Sequence, residues 1–468
     1  MTLDAQTYFW YASDTSILGR LPEGYSFANN GWPVFLAPFF ALFKFADMIS
    51  YMEMQRIIAT LLSVLTAIPV YFLCRRFVGN SFAVFGAAIF AFEPRLVQNS
   101  LLGLNDALYI LVGAVSLVLF LKLDIRSRCI SFALIGFASL IRSEGLFLFF
   151  ALSIMYFVQH GKNLKELSRY GVLLAVFIAA ILPMAILRIE MTGTDALTGR
   201  IINEAGHASV LTSNYGIITF FTNTAITFFG FLGRVMLPVF VFFVPVGVFL
   251  ILRHRNFEKN TIIVALIMMS IPALYAYSVP ALDTKYFYFM YPMFCVLSVF
   301  AMKKYGEIIS KSHILILAAI IGVIVASVVF LAIKLPDKEQ ELEYFQVAQF
   351  VVHNTNKVND YYPQSAYISS AQLASAWPSL RHDAEFEAKV IPVSGYKELS
   401  EYIKDSKEIG LTHIVIDDKK ERPTFLSDIF YHEEKYPYLV KVFDSKDYDQ
   451  KINLKIFKIN YDVWSIQE

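Results

Sequence analysis

The sequence is poor in charge and in cysteine. Only 17% of its 468 residues are charged and 56% are hydrophobic, whereas a soluble protein has about 25% charged and about 45–50% apolar residues. This composition excludes a freely soluble enzyme. The three cysteines, Cys74, Cys129 and Cys295, all lie in apolar stretches. An odd number of widely spaced cysteines excludes a disulfide framework and a zinc site of the usual spacing.

The charged residues are unevenly distributed along the chain. Residues 1–335 carry 24 basic and 16 acidic side chains, and the much shorter segment 336–468 carries 16 basic and 23 acidic ones. This predicts an α-helical polytopic membrane body over 1–335 and an extracytoplasmic soluble domain over 336–468. The net charge of +1 gives no reason to expect nucleic-acid binding.

About ten apolar stretches approach the length of about 20 residues that a membrane-spanning helix needs. We expect spans at 57–74, 80–97, 106–121, 129–141, 144–159, 170–188, 233–252, 261–279, 286–302 and 313–334. The apolar segment 34–46 is short, which is typical of a re-entrant or interfacial helix.

Alternate connections between these spans carry 14 Lys and Arg residues, so the positive-inside rule predicts that they are cytoplasmic. The loop 189–232 and the C-terminal domain then lie outside, and 1–55 forms a first outer loop. The chain is either intact or lacks a helix before residue 1 because of a wrongly chosen start codon; both alternatives remain open.

The tail after Pro336 predicts a small α/β domain. Helical patterns cover 337–355 and 396–410, and short β-type runs occur at 366–370, 390–394, 412–417, 439–443 and 454–459. Alternation of strands and helices favours an α/β fold. The tail has no glycine-rich phosphate loop, nucleophile elbow or cluster of metal ligands, so we do not expect catalysis there.

Charged side chains at membrane depth cost roughly 2.5–3.5 kcal/mol each on insertion scales, so those near the predicted outer ends of the spans are candidates for function. They are Asp4, Asp14, Arg56, Glu93, Arg95, Asp106, Arg142, Glu144 and Lys285. Carboxylates here can act as general base or metal ligand, and cations can bind a phosphate.

Seven of these nine candidates also have a structural interpretation. Arg56 and Asp106 can be explained as helix-end residues. Glu93–Arg95 and Arg142–Glu144 can be explained as local charge pairs, and Lys285 as an interfacial anchor. The predicted location of all of them on one side of the membrane favours the functional interpretation.

Six short motifs follow one another along the chain: Asp4 with Tyr8, Asn30-Gly31-Trp32-Pro33, Arg56 at the start of a span, Asp106 at the start of a later one, Arg142-Ser143-Glu144-Gly145, and Lys285-Tyr286 before Pro292. In this order they resemble the GT-C superfamily of membrane glycosyltransferases. The closest branch is that of the protein O-mannosyltransferases and aminoarabinose transferases, the family 39 and 83 type, in particular its archaeal members.

The resemblance implies a GT-C helical bundle that transfers a hexose-type sugar, with inversion, from a polyprenyl (dolichyl) phosphate to an acceptor hydroxyl on the outer side of the cell membrane. The acceptor is a glycan, a lipid or a protein. The implied site residues are Asp4 as general base, Asp106 as a second catalytic carboxylate that orients the acceptor or helps to hold a divalent metal ion, Arg56, Arg142 and Lys285 as ligands of the donor phosphate, and Tyr8, Trp32 and Glu144 as substrate-binding residues.

Two departures from the family pattern limit the inference. Asp4 is followed by Ala5, whereas the protein O-mannosyltransferases have two adjacent acidic residues; this argues against protein mannosylation but not against sugar transfer. The WWDYG-type motif of oligosaccharyltransferases is absent. A transporter or flippase for a lipid-linked sugar, and a non-catalytic membrane protein of envelope assembly, remain alternatives.

Overall fold

The computed structural model describes residues 3–22, 25, 29–43, 45, 48–161, 163–193, 217–253, 256–278, 283–308, 312–334, 338–359, 390–393, 395–418 and 423–467. The chain divides into two compact units. We call residues 11–335 the helical unit, and residues 336–468 together with 1–10 the C-terminal unit.

The helical unit consists of a long series of helices. They are α1 (Leu3–Leu18, whose first residues belong to the C-terminal unit), α2 (Gly31–Leu42), α3 (Met48–Leu65), α4 (Ala67–Arg75), α5 (Asn80–Ala91), α6 (Pro94–Leu101), α7 (Asp106–Phe120), α8 (Ile125–Ile141), α9 (Gly145–His160), α10 (Leu164–Thr192), α11 (Ile217–Met236), α12 (Phe240–Arg253), α13 (Phe257–Ser278), a 3-10 helix (Thr284–Met290), α14 (Tyr291–Ile308) and α15 (Ser312–Lys334).

The lengths and hydropathy of these helices are those of a multi-pass membrane protein. In the described ranges five helical stretches are long and apolar enough to span a bilayer: Ile49–Arg75, Leu164–Met191, Phe257–Ser278, Thr284–Ile308 and His313–Lys334. Helices α11 and α12 meet at an angle of 109° and would make a sixth span if they cross the membrane as one broken helix. Four shorter apolar helices are also present in the described ranges. The predicted segment 34–46 corresponds to α2, and 1–55 contains helices as well as connections.

The basic connections that were predicted to share one side contact one another in the structure. Arg76, after α4, forms an ion pair of 2.7 Å with Glu258 at the start of α13. Arg128, in the first turns of α8, is 2% exposed and donates to Gln159 of α9. Its guanidinium also lies over the rings of Phe120 and Tyr156, at 5.0 and 5.3 Å. We call this end of the helical unit the basic end.

The C-terminal unit has a five-stranded mixed sheet in the order β2-β1-β3-β5-β4. Its elements are α16 (Lys338–Asn354), β1 (Val358–Asn359), β2 (Val390–Ile391), α17 (Leu399–Lys407), β3 (His413–Asp417), α18 (Thr424–Tyr431), β4 (Leu439–Asp444), β5 (Leu454–Ile459) and α19 (Tyr461–Gln467). Strand β1 is parallel to β2 and β3, whereas β5 is antiparallel to β3 and β4.

This arrangement confirms the predicted fold class, a helical membrane bundle with a small C-terminal α/β domain. Every residue of β3 is buried, as expected of an apolar run at the centre of a sheet. The strand predicted at 366–370 lies outside the described residues. Helices α18 and α19 were not predicted, because each is only one or two turns long and has no extended apolar periodicity.

The first prediction concerns His413, which is 6% exposed and lies opposite Lys458 in the sheet. Burial, and secondarily the charge of Lys458, lowers the pKa of His413 to about 4. Because the unfolded chain binds this proton near pH 6.5 and the folded chain does not, the contribution of His413 to stability is complete above pH 6.5 and is lost as the pH falls towards 4.

Hydrogen–deuterium exchange of β3, corrected for the intrinsic pH dependence of exchange, measures this effect. We expect protection to fall between pH 7 and pH 5 in the natural protein and to fall less in His413→Gln. An equal loss of protection in both proteins would contradict the assignment to His413.

Candidate functional site

A network of charged and polar side chains joins five helix ends of the helical unit. Arg142 Nη1 donates to Asp106 Oδ1 at 2.6 Å, and Arg142 Nη2 donates to Glu144 Oε1 at 2.9 Å. Asn99 Nδ2 donates to the other oxygen of Asp106 at 3.1 Å. Lys285 interacts electrostatically with Asp106. We call these five residues the Arg142 cluster.

Each member is at or near the end of a helix. Asp106 is the first residue of α7, where a carboxylate is stabilised by the helix dipole. Asn99 lies in the last turns of α6, and Arg142 and Glu144 lie in the turn between α8 and α9. Lys285 is the second residue of the 3-10 helix, whose cap Asp283 accepts from the backbone N–H of Lys285. The sequence therefore brings the side chains together through connections and not along one helix face.

The turn that carries Arg142 depends on a glycine. The backbone N–H of Arg142 donates to Ala138 O at 2.9 Å and ends α8, and the N–H of Gly145 donates back to Arg142 O at 2.9 Å. A Cβ atom on Gly145 would lie 2.8 Å from the backbone nitrogen of Ser139. Only a residue without a side chain fits here, which explains the glycine in the Arg-x-Glu-Gly motif.

The electrostatics of the cluster favour a fixed geometry. The side chains of Asp106, Arg142 and Glu144 are 2%, 9% and 12% exposed. Charges buried this deeply are costly unless they are paired and hydrogen-bonded, and Arg142 pairs with both carboxylates. The guanidinium also lies 5.9 Å from the ring centres of Tyr109 and Tyr286. The arrangement holds two carboxylates in defined positions beside a cation.

Lys285 is the most accessible cation of the cluster. Its side chain is 23% exposed, and Nζ lies 3.5 Å from Asp283 Oδ2. An ammonium that is partly accessible and near buried charges can bind an anionic group such as a phosphate.

Two further predicted residues lie near the connection that precedes Asp106. Trp32 is fully buried, and its indole Nε1 donates to Gly103 O at 3.2 Å. A Cβ atom on Gly103 would lie 3.5 Å from Cγ of Arg56, so the stem of Arg56 runs beside this connection. The structure therefore gives Trp32 a packing role, and its contact with substrate stays a prediction. The contact of Arg56 with a phosphate likewise stays a prediction.

Asp4 and Tyr8 lie in the first turns of α1, in the part of the chain that belongs to the C-terminal unit. Asp4 is exposed and Tyr8 is half-buried. Their position relative to the Arg142 cluster, and with it the role of Asp4 as general base, stays a prediction.

The sequence indicated only a local charge pair for Glu93 and Arg95, whereas the structure shows that both also contact distant residues. Glu93 is fully buried between α5 and α6 and accepts a hydrogen bond of 3.2 Å from the Tyr291 hydroxyl. Arg95 Nη1 lies 3.6 Å from Glu93 and donates to Leu237 O at 2.6 Å, at the bend between α11 and α12. The pair is thus more than a local one, because it holds this bend. The spacing of the two residues predicted their pairing but not their distant partners.

Asn99 and Tyr109 were missed altogether. An amide and a phenol close to Asp106 in sequence have no motif of their own, and only the fold shows that they contact the cluster. For a metal ion the residues offer little: in the described part of the chain no three His, Cys, Asp or Glu side chains form a group that could hold one. Both oxygens of Asp106 already accept hydrogen bonds, from Arg142 and from Asn99, so this carboxylate does not fit the role of a metal ligand.

Residues 33–187 match the family model described as dolichyl-phosphate-mannose-protein mannosyltransferase. This range includes Arg56, Asp106, Arg142 and Glu144. No curated protein matches the chain.

Several solved structures share the fold over nearly the whole chain. The Archaeoglobus fulgidus oligosaccharyltransferase, crystallised with Zn and sulfate, matches with a TM-score of 0.59 at 14% identity, covering 98% of this chain and 69% of that one. The archaeal oligosaccharyltransferase AglB from Archaeoglobus fulgidus, in complex with an inhibitory peptide and a dolichol-phosphate, matches with a TM-score of 0.58 at 13% identity, covering 94% and 68%.

ArnT from Cupriavidus metallidurans, bound to undecaprenyl phosphate, matches with a TM-score of 0.58 at 10% identity, covering 97% of this chain and 93% of that one. At these identities the structural matches show the fold. Together with the family match they confirm the resemblance that the order of the motifs predicted.

A second prediction tests the turn of the Arg142 cluster. Gly145→Ala introduces a methyl group 2.8 Å from the Ser139 backbone, so the turn must shift and the two ion pairs with it. We expect a lower melting temperature of the detergent-solubilised protein. Gly171→Ala in α10 is the control, because nothing lies within 4 Å of its added Cβ; alanine is favoured over glycine in a helix by roughly 0.5–1 kcal/mol. Equal melting temperatures for the two variants would refute the tight packing.

A third prediction measures the coupling between Asp106 and Arg142. Breaking a buried ion pair from one side costs about 3–5 kcal/mol, so Arg142→Gln should lower stability strongly. Because Glu144 still pairs with Arg142 in Asp106→Asn, that variant should lose less. The double variant should lose clearly less than the sum of the two.

The matched control is the double-mutant cycle of Arg76 and Glu258 at the basic end, whose side chains are 30% and 27% exposed. Partly exposed pairs typically couple by about 0.2–1 kcal/mol. A coupling of Asp106 and Arg142 no larger than this value would show that the network is not a strongly coupled one.

Proposed function

We propose that this chain is a membrane glycosyltransferase of the GT-C type and that it transfers a hexose-type sugar from a polyprenyl (dolichyl) phosphate to an acceptor hydroxyl. The observation that carries the proposal is the Arg142 cluster, in which buried carboxylates and cations converge at one end of an apolar helical unit. The match to a family named for dolichyl-phosphate-mannose as donor supports this donor class. The two polyprenyl phosphates named in the matched structures, dolichol-phosphate and undecaprenyl phosphate, support it as well.

The chemistry requires a base, an electrophilic carbon and a stabilised leaving group. In the proposed reaction Asp4 takes the proton of the acceptor hydroxyl, and the acceptor oxygen attacks the anomeric carbon from the face opposite the phosphate. The bond between that carbon and the phosphate oxygen breaks, and the polyprenyl phosphate leaves with the electron pair. The configuration at the anomeric carbon is therefore inverted.

The cations stabilise the charge that develops on the departing phosphate. Because Arg142 already donates to Asp106 and Glu144, we assign the direct phosphate contact first to Lys285 and Arg56. Arg142 adds positive charge to the site and holds both carboxylates in place. Glu144 and Tyr8 then orient the acceptor, whereas Asp106 and the fully buried Trp32 hold the surrounding helix ends in place.

In this proposal the reaction takes place on the outer side of the cell membrane. In this proposal the C-terminal unit also lies outside the membrane, and the acceptor is a glycan, lipid or protein. The basic end faces the cytoplasm, as expected from its excess of Lys and Arg.

The fourth prediction is tested with purified protein, polyprenyl-phosphate sugars and a set of acceptors, by measuring the released polyprenyl phosphate. Asp4→Asn should reduce kcat by about 10²–10⁴, which is the usual contribution of a general base. Lys285→Gln should mainly raise KM for the donor. Lys304→Gln, an exposed lysine in the last turns of α14, should leave both constants unchanged.

Each outcome discriminates between the candidate functions. A transporter would move the lipid-linked sugar across the bilayer without releasing the lipid phosphate. Normal turnover in Asp4→Asn would exclude Asp4 as the base, and normal donor KM in Lys285→Gln would exclude a phosphate contact for Lys285.

A further inference from the structure

A groove in the C-terminal unit has the composition of a saccharide-binding site. It lies between α16 and the loop that follows β4, and its volume is about 490 Å³, within the range of about 300–1,000 Å³ typical of small-molecule sites. Its lining includes Tyr448, Leu342, Gln346, Gln450, Asp449 and Glu339. We call it the Tyr448 groove.

The aromatic ring in this groove is exposed and held in place. Tyr448 is 62% exposed. One face of its ring stacks on Phe443, with ring centres 5.0 Å apart and planes inclined by 12°. Phe443 is 7% exposed and packs in turn against Phe350 of α16. The tyrosine therefore presents a flat apolar surface without losing further side-chain freedom when a ligand binds.

The loop that carries Tyr448 is braced by the fully buried Ser445. Its hydroxyl donates to Ile452 O and accepts from the Leu454 N–H, each at 2.8 Å. The carboxylate of Glu343 in α16 accepts from the backbone N–H groups of Lys451 and Ile452, at 3.0 and 2.9 Å. The two walls of the groove are thereby joined, so the site is preformed.

The side-chain amide of Gln450 uses its nitrogen, but not its oxygen, in a hydrogen bond to a described residue. Gln450 Nε2 donates to Gln346 Oε1 at 3.1 Å. Gln450 Oε1 is buried and accepts no hydrogen bond from any residue in the described ranges. Because Gln450 Oε1 is inaccessible, the amide of Gln450 serves to hold Gln346 in place. The exposed side chains of Gln346 and Asp449 are polar groups of the groove that a ligand can reach.

From these observations we infer that the Tyr448 groove binds a sugar ring of the acceptor, with the ring face against Tyr448 and its hydroxyls on the exposed side chains of Gln346 and Asp449. A pyranose has an apolar face of C–H groups and an edge of hydroxyls, which matches an aromatic ring flanked by amides and carboxylates. Leu342 is the one aliphatic residue of the lining, so a hydrophobic peptide segment fits less well.

The charge of the groove further restricts the class of sugar that can bind. Glu339, Glu343 and Asp449 contribute three carboxylates, and Lys451, which forms an ion pair with Glu339, contributes one ammonium. An excess of negative charge disfavours uronic acids and sulfated sugars. We therefore expect neutral sugars, including N-acetylated ones, as ligands. A sugar in this groove would be part of a glycan acceptor, and this identification of the acceptor rests on the proposed function.

The fifth prediction is tested by binding of full-length protein in nanodiscs to a panel of neutral oligosaccharides, with uronic-acid oligosaccharides and short peptides as comparison ligands. We expect Tyr448→Ala to raise the Kd for neutral oligosaccharides about tenfold. Tyr448→Phe keeps the ring, so its Kd should stay within about threefold of that of the natural protein. Gln450→Ala should also weaken binding.

Tyr431→Ala is the matched control, because Tyr431 is 63% exposed in the same unit and does not line the groove. Binding in this variant should be unchanged, and melting temperatures of all variants report on folding. The inference is overturned if the natural protein binds no neutral oligosaccharide, if Tyr448→Ala binds as well as Tyr431→Ala, or if peptides or acidic sugars bind more tightly than neutral ones.

This binding needs no donor, so its failure is separate from failure of sugar transfer. Transfer without glycan binding would refute only the groove. Glycan binding without release of polyprenyl phosphate would refute only the catalytic proposal.

Discussion

The pairing of Arg142 with Asp106 and Glu144 is the constraint on which the organisation of the helical unit depends. Three charged side chains that are at most 12% exposed can remain in an apolar environment only if each compensates another. Their contacts fix the end of α8, the start of α9 and the start of α7 relative to one another. Gly31 allows α2 to pack closely against the end of α8, because a Cβ at this position would lie 2.7 Å from the Ile141 backbone. Burial of these three charges therefore costs free energy, and the pairing that offsets this cost also fixes the positions of the side chains in the Arg142 cluster.

The distribution of charge along the helices follows from the same physics. Ionised groups avoid the apolar middle of the helices and collect at the two ends, as expected in a membrane. The two ends differ in character. At the basic end cations pair with partly exposed carboxylates or stack on aromatic rings, as Arg76 and Arg128 do. At the other end Asp106 and Glu144 are buried together with their partner Arg142. An asymmetry of this kind allows one end to host chemistry while the other sets the orientation.

The sequence predicted what depends on local pattern and composition. The apolar helices and the strands at 412–417 and 454–459 correspond to elements of the structure. It also named Asp106, Arg142, Glu144 and Lys285 as candidates. It could not show that Asp106 and Arg142, which are 36 positions apart, form a pair, because such contacts arise from the packing of whole helices. For the same reason the distant partners of Glu93 were not foreseen. The orientation of Tyr448 on Phe443 depends on a loop held by Ser445, and no short motif encodes it.

The basic end has a consequence for which substitutions the protein tolerates. The guanidinium of Arg128 lies over two aromatic rings and hydrogen-bonds to Gln159, which requires a flat cation with donors at its edge. A lysine keeps the charge but has a compact, strongly hydrated ammonium that neither stacks in this way nor reaches the same partners. An exchange between the two basic residues, which is neutral in many surface loops, would therefore loosen the junction of α7, α8 and α9. Tolerance of lysine should differ sharply between this position and its exposed basic neighbours.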